Sequence, residues 1–400
     1  MKPYFPRPLR LALLALALLL AGTPAHAQSD PRDKIKIGYL TTLSGPAGII
    51  GEQMQNAVRL ALDHKNHRLG GIPAEVIFAD DQFKPDVARQ AVTRLLKRDR
   101  VDIMAGIIWS NVLLAVEKQI TGSGRLLIGS NAGPSQLAGA GCNQNFFSLS
   151  WQNDQNAEAM GAYMESIGID GVYLMAPNYQ AGKDMLAGFK RHFSGEIIAE
   201  VYTQLGQNDF QAEFSALRAK APEAVFIFQP GGMGINFVKQ WHQGGMDQVS
   251  TLYSVFTVDA ISLPALRDSA LGTRATLTWS PDLDNAINKK FVADYKARHG
   301  GYPSFYAAQA YDTMLALDYA IKGAIGEAGG VATADLRAVL ARGNIPTTRG
   351  VLAMNSNHFP IQNIYLREAV LDDDGVATTK IIDTVFADHA DHYVGGCILP

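Results

Sequence analysis

Short apolar runs alternate with segments of helical periodicity along almost the whole chain. Strand-length runs lie at residues 35–40, 74–79, 102–106 and 126–129. Between them, Met54, Ala57, Val58, Ala61 and Leu62 recur at i, i+3, i+4, i+7 and i+8, inside a helix expected from about residue 51 to residue 69. Val87, Ala91, Leu95 and Leu96 make a second stripe. Continuous apolar strands separated by amphipathic helices predict βαβ units around a parallel sheet. The same grammar restarts after Phe146, with strands expected at 171–176, 197–202, 224–228 and 251–254 and helices between them. The pattern is therefore α/β, with two doubly wound lobes.

The remaining chain is too short for a third lobe. Helices are expected at 285–299, 304–323 and 333–341, then alternating β after Gly350 with a turn at Asp372-Asp373-Asp374-Gly375. Such a tail crosses back between lobes. The crossings are expected at 147–150, 277–280 and Gly350. One lobe then comprises 28–148 plus 280–350, and the other 149–279 plus 351–400 with the C-terminal tail. Three crossings make a hinge, and a hinge makes a closable cleft.

Ahead of the first strand, Lys2, Arg7 and Arg10 precede an apolar run at 11–21, and Ala25-His26-Ala27 fits a small-x-small cleavage site. That is the layout of a secretory leader over 1–27, with an apolar run too short to span a bilayer. Removing its three cations leaves 32 basic against 38 acidic residues, a net charge near −6. No basic cluster survives, which argues against nucleic acid or an anionic membrane as partner. Cys142 and Cys397 are the only cysteines. In an oxidising compartment an isolated pair is expected to form a bridge, with two free buried thiols as the alternative.

The ordered series 35–46 followed by a helix, 106–111, 129–134, 176–182 with Tyr179, and 226–232 resembles type I periplasmic substrate-binding proteins of ABC importers, in their leucine/isoleucine/valine-binding branch. Within that branch, 131–137, 150–154 and 279–285 are similar to a subset that takes up aromatic carboxylates, benzoates and phenylpropenoids. The amino-acid binders of the branch hold the ligand's ammonium with an acidic residue of the second lobe. The corresponding stretch here is Tyr253-Ser254-Val255-Phe256-Thr257-Val258-Asp259, where only a shifted Asp259 is acidic. The resemblance thus implies a periplasmic, monomeric receptor that closes on a small carboxylate and delivers it to an ABC permease, without cofactor. A branched-chain amino-acid or amide receptor is the alternative, and a ligand sensor or secreted enzyme comes after it.

Ligands of open parallel sheets bind outside the carboxyl ends of the strands. Those loops nominate Ser44, Trp109, Ser110, Asn131, Ala132 and Gly133 from one lobe. Tyr179, Gln229, Phe256 and Trp279 form the opposite wall. Small residues let backbone N–H groups approach an anion, while aromatic walls suit a flat ring. Blander readings stand beside these: Trp109 or Trp279 as core, and Ser110 as a helix N-cap. Nucleotide, phosphate-loop and nucleophile-elbow motifs are missing, so no catalytic residue is nominated. His389 and His392 lie three apart beside Asp388 and Asp391, but nothing nearby in sequence supplies a third ligand. A solvated polar tail and no metal site are expected there. His64 and His67 are expected on the exposed side of the first helix.

Overall fold

The computed structural model describes residues 34–328 and 331–399, together with Met1. The leader expected over 1–27 falls, beyond Met1, outside the described residues. The first sheet contains β1 (Ile35–Thr41), β2 (Arg68–Leu69), β3 (Ile72–Asp80), β4 (Ile103–Gly106), β5 (Leu126–Gly129) and β6 (Phe146–Ser148). Their order is β2-β3-β1-β4-β5-β6, parallel except for β2 against β3. Helices α1 (Gly48–His64), α2 (Pro85–Lys97), α3 (Ser110–Thr121) and the short α4 (Ser135–Ala138) connect them. The stripe Met54, Ala57, Val58, Ala61 and Leu62 is buried along α1, which is why that segment is helical in this context.

The second sheet repeats the plan. It holds α5 (Asp154–Ser166), β7 (Gly171–Pro177), α6 (Gln180–His192), β8 (Glu196–Thr203), α7 (Gln211–Lys220), β9 (Ala224–Ile227), α8 (Gly232–Gln243), β10 (Thr251–Ser254), α9 (Leu263–Leu266) and β11 (Arg274–Leu277). The parallel run is β8-β7-β9-β10-β11. After β11 the chain forms α10 (Ala286–His299), α11 (Phe305–Ala328) and α12 (Thr333–Ala341). α11 packs on α1 of the first lobe, where His64 and Lys65 meet Tyr311 and Asp318. It then returns through β12 (Ile345–Thr347), β13 (Gly350–Met354), β14 (Pro360–Leu371) and β15 (Ala377–His389), with β14 antiparallel to β11 and β15 antiparallel to β14. In both sheets the first parallel strand lies between the next two parallel strands, β1 between β3 and β4 and β7 between β8 and β9, so each has a switch point there.

Where the chain passes between lobes, Arg349 ties three segments together. Its guanidinium donates to the Leu149 and Ser150 carbonyls, to Gln362 and to Asp312 on α11. Both members of the Arg349–Asp312 pair are buried, 3.1 Å apart. Burial raises the Asp312 carboxyl, and Arg349 and Thr348 oppose that shift.

Two local expectations are corrected. The first helix stops at His64, because Asn66 and His67 adopt φ of 51° and 54°, and Arg68–Leu69 then pair with β3 as an edge strand. His64 is not on an exposed face: its side chain is 14% exposed, with Nδ1 2.8 Å from the Tyr311 hydroxyl and Nε2 3.0 Å from Asp294. The disulfide is present, joining Cys142 in the loop after α4 to Cys397 in the C-terminal segment.

Candidate functional site

Two helices start at one small chamber from opposite lobes. α3 begins after β4 with Trp109 in its N-cap position, and α6 begins after β7 with Tyr179 in the same role. Neither cap residue makes a side-chain capping bond. The first-turn N–H groups of both helices are thus available to a ligand, at the end that favours negative charge. Ser110 is the first helical residue rather than the cap. Its hydroxyl accepts from Asn153 Nδ2 at 3.1 Å, which leaves its own proton free to donate.

The turn into α3 is strained. Gly106 has φ +105°, and a Cβ there would lie 2.3 Å from the Leu40 carbonyl. Ile107 follows with φ 71°, a costly conformation for a β-branched residue, held by its N–H on the Leu40 carbonyl. This kink delivers Ile108, Trp109 and Ser110 to the chamber. Trp109 is then fixed in place. Its indole N–H donates to Thr42 Oγ1 at 2.8 Å, Thr42 donates to Asp81, and the Phe83 ring lies 4.1 Å away.

The second lobe and the crossings supply most of the aromatic surface. Tyr179 stacks towards Phe228, Phe228 meets Phe256 edge-on, and Trp151 stacks on Phe256 at 5.1 Å. Tyr306, from the first turn of α11, closes the ring against Phe256. The hydroxyls of Tyr179 and Tyr306 have no hydrogen-bond partner among the described residues. Burial, reinforced by Asp184 for Tyr179 and by Asp259 and Tyr179 for Tyr306, pushes both phenols upward. They are neutral O–H donors. Among the described residues, no charged side chain lines the chamber.

The cavity between these walls is only about 10 Å³, roughly the space of one water. No ring-sized molecule fits between the walls as they stand. A second cavity of about 250 Å³ adjoins it through Trp109 and Pro230, at the level of Pro46 and Met233. Next to the chamber the lobes are latched. The Asp184 carboxylate on α6 accepts from the Ser135 N–H and hydroxyl, from Asn153 Nδ2 and from Gln180 Nε2. Four donors saturate it.

Of the nominated residues, Trp109, Ser110, Asn131, Ala132, Tyr179 and Phe256 line the chamber. Ser44, Gly133, Gln229 and Trp279 do not. Ser44 is exposed and bonds Asp80. Gly133 lies behind the wall, where its N–H donates to Asn153 and a Cβ would clash with the Trp151 carbonyl at 2.0 Å. Gln229 is buried on Thr203 and Thr257. Trp279 is core, donating to Asn288 and packing on Phe291. The Ala132 and Gly133 amides expected to hold an anion are already hydrogen-bonded, Ala132 to the Ile107 carbonyl. Residues the sequence reading missed are Trp151, Asn153, Phe228 and Tyr306. Trp151 and Asn153 carried a signal inside the 150–154 motif and Phe228 inside the 226–232 segment; Tyr306 carried none.

A family model described as periplasmic binding protein matches residues 34–375. The chain belongs to the periplasmic binding protein family. Among relatives of this family, the Leu/Ile/Val-binding protein homolog 6 of Brucella melitensis biotype 1 is 26% identical over 390 residues, covering 94% of this chain and 96% of that one. A solute-binding protein of an ABC transporter from R. palustris, solved in complex with benzoate, is 27% identical with a TM-score of 0.84, over 92% of this chain and all of that one. Another, from Rhodopseudomonas palustris BisB5 with 3,4-dihydroxybenzoic acid, is 28% identical with a TM-score of 0.83, over 90% and 99% of the two chains. The two-lobed periplasmic binding protein fold accounts for the paired sheets.

Proposed function

We propose that this protein is a periplasmic receptor that captures a small aromatic carboxylate and delivers it to the permease of an ABC importer. The observation that carries this reading is the convergence of two uncapped helix N-termini on an aromatic chamber that no charged side chain lines. The carboxylate rests on the first turns of α3 and α6, on the Ser110 hydroxyl and on the Tyr179 and Tyr306 phenols. Neutral donors hold the anion without a buried Arg, which permits release. The ring lies among Trp109, Trp151, Phe228 and Phe256. Asn131 Oδ1, buried without a partner, is left to accept from a ring hydroxyl.

The crossings at 147–150, 277–280 and Gly350 serve as the hinge between lobes 28–148 plus 280–350 and 149–279 plus 351–400. Ligand contacts both lobes, so it favours the closed form over the open one. The role is binding rather than catalysis. The relative named as Leu/Ile/Val-binding supports a branched-chain amino acid as second reading. Against it, the chamber has no acidic lining residue, Asp184 is saturated, and Asp259 faces a different small cavity with Arg367.

A thermal-shift screen tests the two readings. Benzoate or 4-hydroxybenzoate at a hundredfold excess over Kd should stabilise the protein by about 2.7 kcal/mol. Stabilisation by leucine or valine alone would reverse the assignment. Small-angle scattering with saturating benzoate should show a smaller radius of gyration than that of the free protein; an unchanged radius would contradict closure.

A further inference from the structure

The C-terminal histidines, which sequence alone places in a solvated tail, instead converge with two distant residues of the second lobe. Three of the chain's nine histidines surround one buried carboxylate. Glu158, fully buried on α5, receives His389 Nε2 on Oε2 at 2.6 Å, and His392 Nε2 lies 3.6 Å from the same oxygen. His192, the last residue of α6, completes the group. One ligand atom each from Glu158, His192 and His392 lies within 4.8 Å of the others. Nε2 of His192 is buried without a hydrogen-bond partner, so a donor or acceptor is missing from its surroundings.

We propose that Glu158, His192 and His392, with His389 beside them, form a binding site for a divalent transition-metal cation of the zinc type. Imidazole nitrogens with one carboxylate are the donor set that zinc takes, and Glu158, His192 and His392 would supply three of its usual four ligands, leaving the fourth position to water or to His389. Charge permits it. Arg191 lies against Glu158 but is shared with the buried Asp154, so two carboxylates against one guanidinium leave a net negative charge for a cation. His392 is 47% exposed and gives an entry path. The ligands come from α5, the end of α6 and the segment after β15, which the metal would clasp together. α6 carries Ala181 and Met185 in the chamber wall at its other end, so the clasp anchors an element of the ligand site without touching ligand.

The test is calorimetric titration of the disulfide-bonded protein with zinc chloride, for the native chain and for His192→Ala, His392→Ala and the control His67→Ala, whose side chain is 69% exposed in the turn between α1 and β2. Native protein and control should bind one zinc each and gain thermal stability. Each ligand variant should bind at least about 100-fold more weakly, the upper end of what losing even an outer-shell partner costs. Circular dichroism and metal-free melting confirm that the variants fold. No zinc binding by the native chain, or affinity unchanged in both folded ligand variants, would overturn the site. Benzoate titrations of the same variants keep this result separate from the proposed ligand.

Discussion

The two walls of the chamber grow from the same strand–loop–helix plan and present different chemistry. On the first lobe, the turn after β4 spends backbone strain at Ile107 to aim Ser110 and the start of α3 inward, and Thr42 locks the Trp109 indole. That wall is polar and fixed. On the second lobe, the equivalent loop after β7 offers Tyr179, and the strand ends add Phe228 and Phe256. That wall is apolar area. A repeated topology thus brings two helix N-termini to one chamber, while the residues after each strand make one wall polar and the other apolar.

The comparison breaks most severely if the walls lose their common reference at the crossings. Arg349→Ala removes the cation from a buried pair and leaves Asp312 without it, together with the Leu149 and Ser150 carbonyls. The expected loss is about 3–5 kcal/mol of unfolding free energy, read from urea denaturation; a loss below about 1 kcal/mol would show that the crossings do not depend on it. Next in size is an acid effect at the first crossing. His358 stacks on Phe147 at 3.8 Å, and burial, aided by Arg337 and opposed by the Phe146 carbonyl, lowers its imidazole from 6.5 to about 4. The unfolded chain takes up this proton first, so stability present above pH 6.5 is lost as pH falls towards 4. The expected contribution is about 3 kcal/mol. His358→Gln should flatten stability over that window, and an unchanged pH profile would remove His358 from the account.

Smaller substitutions separate the walls. Tyr179→Ala takes a donor and ring area from the second lobe at a loop position. It should weaken benzoate binding by about 2 kcal/mol, roughly 30-fold, with the melting temperature nearly kept. Ser110→Ala removes one charge-assisted hydrogen bond from the first lobe and should cost about 1.5 kcal/mol, roughly tenfold. Equal and negligible effects from both would mean that the ligand sits elsewhere.

The paired α/β plan was legible because burial periodicity is local: the α1 stripe and the apolar strands need only their own residues. The cysteine pairing was legible because no third cysteine competes. The chamber was half legible. Loops after parallel strands point to Trp109, Ser110 and Tyr179, but aromatic content does not distinguish wall from core, and Trp279 proves to be held by Asn288 and Phe291. Phe228 and Gln229 are adjacent at a strand end and face opposite sides, which a reading without register assigns to the wrong neighbour. Tyr306 reaches the chamber only because α11 crosses back to the first lobe. His389 meets Glu158 across 231 positions of sequence, a distance at which spacing carries no information.

Calorimetric titration of the protein with benzoate and, separately, with leucine tests the central claim most directly. The account predicts saturable one-to-one binding of benzoate and at least tenfold weaker binding of leucine, since no carboxylate among the described residues lines the chamber to pair with an ammonium group. Saturable leucine binding with benzoate silent would contradict it.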